Sequence, residues 1–129
     1  MYQSRDNTLT RQDMIDKSYK MLTKEEIQKT LSGTTITAKY FFNNSWYKAM
    51  TNSFADGTIE GQNNVASYNK GRWQVNEDDS LSLEWDGSWE DWSAFAYKVG
   101  DEIMFFDITT GLWRTTFSLI EAGTLATEI

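Results

Sequence analysis

The chain has 129 residues, a net charge of −7 and 15% aromatic residues, with neither cysteine nor histidine. That length suits one domain, able to bury roughly two-thirds of its unfolded surface without covalent staples. Missing thiols and imidazoles exclude disulfides, cysteine nucleophiles, thiolate metal sites and the usual imidazole base, and the acidic balance argues against nucleic acid and anionic membranes as partners.

Residues 1–9 are polar and are expected to form a disordered or frayed N-terminus, leaving residues 10–129 as a single helix-plus-β-barrel domain. The opening MYQSRDNTLT has no apolar stretch of a secretory signal. A cytoplasmic protein and an exported one with its signal removed are both open readings. Thr10 followed by Asp13 reads as a helix start, with Met14, Ile15, Tyr19 and Leu22 at helical spacing. Thr23 and Glu26 have capping-box spacing, each side chain able to satisfy the other's free backbone N–H. They predict a second short helix over about 24–31, with Ile27 and Leu31 on one face and Gly33 as its stop.

After Gly33 the apolar period changes from 3.6 to 2. Ile36, Ala38, Tyr40 and Phe42 alternate with polar residues over about 34–42, and Asn43-Asn44 is a turn. Strands then follow at about 46–54, 58–62, 67–75, 81–85, 92–99, 102–108 and from Trp113 onward. Asp56-Gly57, Asp86-Gly87, Gly100-Asp101 and Thr110-Gly111 mark turns between them. Such short connections leave no room for crossover helices, so the strands are antiparallel and sequential. The predicted fold is all-β with an N-terminal helix: an eight-stranded antiparallel up-and-down barrel, whose closure removes unpaired edges. The alternative is a strongly curved antiparallel sheet capped by the helix.

From Lys24 to Gly123 the chain carries Leu31-Ser32-Gly33-Thr34-Thr35-Ile36, Tyr47, Asp56-Gly57-Thr58, Gly71-Arg72-Trp73 with Val75, and Leu83-Glu84-Trp85. This pattern resembles small bacterial lipocalin-like (calycin) domains, most closely the family catalogued as domain of unknown function 995. The resemblance implies a small antiparallel barrel with an N-terminal helix, and it brings no catalytic residues.

The six tryptophans admit two readings. As walls of an aromatic-lined interior they point to a non-enzymatic barrel that binds a small apolar or amphipathic molecule. As filler they simply complete a solid core. The candidate walls are Tyr40, Tyr47, Trp73, Trp85, Phe95, Tyr97, Phe106 and Trp113. Strict alternation predicts Trp73, Leu83, Trp85, Phe106, Trp113 and Phe117 buried, with Arg72, Glu84, Asp107 and Arg114 more exposed.

Residues 76–107 sum to −9 while residues 1–75 sum to +3, which predicts one acidic face. The alternative function is therefore an interaction module, with Trp89, Glu90, Asp91 and Trp92 docking a basic protein partner. Glu77, Asp78, Asp79, Glu84, Asp86, Glu90 and Asp91 also contain carboxylate pairs of the kind that glycoside hydrolysis or calcium binding uses. No fixed spacing supports either chemistry, and solubility alone places acids in hairpin turns. G-x-G-x-x-G, P-loop, G-x-S-x-G and H-E-x-x-H motifs are missing. The expectation is accordingly no enzyme, no cofactor, no metal, no nucleic acid and no membrane insertion, in a monomer or homodimer.

Overall fold

Period-two sequence becomes eight strands in the computed structural model, which describes residues 9–42, 45–65, 67–87 and 89–122. Residues 1–8 and the Asn43-Asn44 turn lie outside the described residues. The elements are α1 (Arg11–Asp16), β1 (Lys20–Met21), α2 (Lys24–Leu31), β2 (Thr34–Phe42), β3 (Ser45–Ser53), β4 (Thr58–Asn63), β5 (Tyr68–Val75), β6 (Ser80–Trp85), β7 (Trp92–Val99), β8 (Glu102–Asp107) and β9 (Trp113–Ala122). From β2 to β9 each strand pairs antiparallel with the next, and β9 returns to pair with β2 from Thr34 to Lys39. That last ladder decides between the two expected architectures. The sheet closes into an eight-stranded barrel rather than remaining open.

The prefix departs from its apolar spacing. α1 opens on a capping box between Thr10 and Asp13, but it stops at Asp16, and Ser18 adopts a left-handed φ of 60°. The helical spacing through Tyr19 and Leu22 does not continue as helix. Instead Lys20 and Met21 pair with Lys98 and Tyr97 of β7, and the Leu22 N–H donates to the Ala96 carbonyl. The physical reason lies in β7, which pairs with β6 only as far as Phe95. Beyond that residue its backbone groups need partners, and the prefix supplies them. Leu9 is not frayed either: its carbonyl accepts the Trp113 N–H and its side chain packs against Trp113 and its neighbours.

α2 follows its expected capping box and closes one end of the barrel. Ile27 and Leu31 join Ile36, Trp73, Val75, Leu81 and Phe105 in the interior core. The Lys24 N–H donates to Asp79 Oδ1 at 2.8 Å, and Lys24 Nζ pairs with Glu77, fastening α2 to the β5–β6 turn.

A second cluster lies on the other side of the sheet. Ala94, Ala96 and Phe105 belong to the interior core, so alternation sends Phe95, Tyr97 and Phe106 outward. There they pack with Met14 of α1, Met21 of β1, Met104 and Trp113. Arg11 sits 4.2 Å over the Phe95 ring and donates from Nε to the Tyr97 hydroxyl. The prefix is thus a strap that buries outward aromatics a plain barrel would expose.

Of the residues expected to be buried, Trp73, Leu83, Phe106, Trp113 and Phe117 are, whereas Trp85 is half-buried. Arg72 and Glu84 are exposed as expected. Asp107 is half-buried because its carboxylate accepts the N–H groups of Thr109 and Thr110 in the following turn. Arg114 departs from alternation for a definite reason. Phe105 pairs with Thr115 but Phe106 pairs with Trp113, so Arg114 is an extra residue in β9. An inserted residue of this kind resets which face its neighbours occupy. Trp113 aligns with outward Phe106, and Arg114 turns toward the barrel mouth.

Candidate binding cavity

The two halves of the barrel are packed differently. Toward α2 the inward positions carry Ile36, Trp73, Val75, Leu81 and Phe105, which fill the space. Toward the other end the register brings small inward residues together: Ala38 faces Ala49, and Thr51 faces Gly61. The result is a cavity of about 330 Å³ at the end opposite α2.

Aromatic side chains form much of its wall. Tyr40 and Tyr47 are register partners on β2 and β3, and their rings stack with centroids 5.3 Å apart and planes within 10°. Trp85 ends β6, and Trp89 from the β6–β7 connection meets it edge to face at 4.7 Å. Trp92 enters from β7 and packs on Phe105 of the filled half, with ring centroids 5.6 Å apart. Ala38, Ala49, Ile59, Leu83 and Phe117 supply aliphatic and aromatic surface between them, with Trp113 touching both the cavity and the outer cluster.

The polar groups are few and mostly paired. Trp89 Nε1 donates to Ser67 Oγ at 2.8 Å, and the Asn63 amide donates to the Tyr40 hydroxyl at 3.3 Å. Burial pushes the Tyr40 phenol above its ordinary pKa, with the Asn63 amide acting against that. Thr115 Oγ1 donates to the Lys39 carbonyl. Glu90 and Arg114 carry the charges among the described lining residues, and they answer each other at 2.6 Å.

Of the eight expected wall residues, the structure brings Tyr40, Tyr47, Trp85 and Trp113 to the cavity. Trp73 faces the interior but lies in the filled half, where its indole N–H is drawn to the Phe54 carbonyl at 3.0 Å. Phe95, Tyr97 and Phe106 face outward beneath the strap and are not walls. Alternation within β7 and β8 is regular, but the strap gives their outer face an apolar cover.

Of the expected interaction residues, Glu90 and Asp91 are exposed and Trp89 and Trp92 are half-buried. Trp89, Glu90 and Trp92 line the cavity, and Asp91 accepts the Trp85 N–H at 2.7 Å. The acidic stretch does not gather on one face. Glu77, Asp78 and Asp79 sit in the β5–β6 turn at the α2 end, while Glu84 and Asp86 pair with Arg72 along the outer wall. Glu90 and Asp91 stand at the mouth. Among the described residues no group of Asp and Glu could hold a metal ion.

Sequence reasoning missed Ala38, Ala49, Thr51, Gly61 and Asn63 as makers of the site. A signal was present: small inward residues on adjacent strands, flanked by large ones, mark a void in a barrel whose other layers are full. It missed the Glu90–Arg114 pair because a bulge and a folded-in loop created it. Comparison of the chain with family models, curated proteins and solved structures finds no match.

Proposed function

We propose that this protein is a non-enzymatic, lipocalin-like barrel that binds one small amphipathic molecule in its open half. The observation that carries the reading is the cavity of about 330 Å³, walled by Tyr40, Tyr47, Trp85, Trp89 and Trp92. Ligand pockets run from roughly 300 to 1,000 Å³ and combine an apolar lining with a few placed polar groups. This cavity sits at the small end of that range, so it suits a compact molecule rather than a long acyl chain. Filling the mouth layer with large side chains would have bought more packing energy, yet alanine, threonine and glycine stand there.

The test is a titration with N-phenyl-1-naphthylamine, a neutral apolar fluorophore, read by its own emission and by quenching of the tryptophans. Saturable one-to-one binding is expected, and it should vanish in Ala49→Phe, whose ring occupies the cavity. Lack of saturable binding, or equal binding by a folded Ala49→Phe variant, overturns the proposal.

A further inference from the structure

Resting on that reading of the cavity, we infer that its ligand carries an ammonium group on a compact apolar body. Trp85, Trp89 and Trp92 all line the cavity. An aromatic face carries the negative part of the ring quadrupole and attracts a cation, tryptophan most strongly. Trp85 and Trp89 cross at 67°, so they form two walls of a corner rather than one flat plate. The Trp89 N–H is already engaged by Ser67, which leaves that indole to act through its face.

The charges at the mouth point the same way. Arg114 is held by Glu90 Oε1, and among the described residues nothing else bonds the Glu90 carboxylate. An entering ammonium can therefore take up the remaining oxygen without breaking the pair. An anion can reach only the Arg114 donors that Glu90 leaves free. It would meet the same ring quadrupoles and the carboxylate of Asp91, the chain neighbour of Glu90, while Asp86 is taken up by Arg72. The field at the mouth thus favours cations at encounter as well as in the bound state.

Calorimetric titration with three probes of one shape class decides the matter: phenethyltrimethylammonium, neutral 2-phenylethanol and anionic 3-phenylpropionate. The cation should bind about 3- to 30-fold more tightly than the neutral probe, the range a single cation–π contact supplies. The anion should be weakest. Trp89→Leu, which keeps apolar volume but removes the ring face, should abolish the preference, and Glu90→Gln should weaken the cation while sparing the neutral probe. Thermal unfolding of each variant checks that it folds.

If the neutral or anionic probe binds as tightly as the cation, or if the preference survives in both variants, the ammonium inference is overturned and the cavity stands. If none of the three probes binds while N-phenyl-1-naphthylamine does, the inference falls in the same way. If nothing binds at all, both readings fail together.

Discussion

The ring of Trp89 lies against Gly61, so closely that a β-carbon at position 61 would come 3.2 Å from Trp89 Cζ3 and 2.9 Å from Thr51 Cγ2. The two residues belong to different strand pairs and are 28 positions apart. The glycine on β4 is what admits a loop tryptophan into the barrel. Without that space the β6–β7 connection could not fold over the mouth, and the cavity would lose one of its walls.

Gly61→Ala is therefore expected to push Trp89 outward. The cost of overpacking should be about 1–3 kcal/mol by chemical denaturation. The discriminating readout is tryptophan emission, which should shift to longer wavelength as the indole leaves its contact with Trp85. Unchanged emission in the alanine variant would show that the loop had another way to stay in.

Trp73 fills the closed half of the barrel and bonds the Phe54 carbonyl through its indole N–H. Trp73→Ala should cost about 3–5 kcal/mol, as deletion of a buried large aromatic usually does. Trp113→Ala should fall in the same range, because Trp113 is 5% exposed and donates to Thr116 Oγ1 at 2.9 Å. A loss below about 1 kcal/mol at both positions would contradict the register described here.

Among the described residues two other than glycine have left-handed backbones, Ser18 at φ 60° and Asp79 at φ 70°. A β-carbon there costs about 1–2 kcal/mol relative to glycine. Ser18→Gly should recover about 1 kcal/mol, measured by denaturant midpoint at constant slope, since its φ ends α1 and no bond of its side chain is needed to do so. Asp79→Gly should recover less or lose stability, because the Asp79 carboxylate accepts the N–H that opens α2. Equal gains at both sites would mean that the bond to Lys24 contributes nothing.

Acid should weaken the fold through turn carboxylates. Hydrogen bonds from the Ser80 side chain and backbone hold the Asp78 carboxyl below its ordinary value of 3.8, and those from Thr58 do the same for Asp56. Bonds from Lys24 and Lys20 lower Glu77 and Glu26 from 4.5. A depressed folded-state pKa means that the unfolded chain binds more protons, so stability is present above the ordinary values and drains as pH falls through the lowered ones. Urea midpoints should decline from about pH 5 downward. The combined Asp56→Asn and Asp78→Asn variant should show a shallower decline, and an unchanged slope would remove these turns from the account.

The sequence by itself determined the local part of this structure. Two capping boxes, Thr10 with Asp13 and Thr23 with Glu26, located both helix starts, since each needs only four consecutive residues. Period-two alternation after Gly33 located all eight barrel strands to within a few residues, because a strand's two faces are written in its own side chains. Turn residues such as Asp56-Gly57 and Gly100-Asp101 determined that neighbours pair in order.

Tertiary structure decided the rest. Closure depends on Thr34 meeting Ala122, 88 positions further on, and no local pattern measures that distance. The strap exists because β7 outruns β6, which turned a helical spacing at Tyr19 and Leu22 into a short strand and gave Phe95, Tyr97 and Phe106 an outer burial site. Arg114 faces the mouth because Phe105 and Phe106 take Thr115 and Trp113 as partners, a mismatch visible only once two strands lie side by side. Alternation tells which residues share a face. It does not tell which face is covered by what, and the cavity is a difference between two layers of the barrel that only the closed register brings into line.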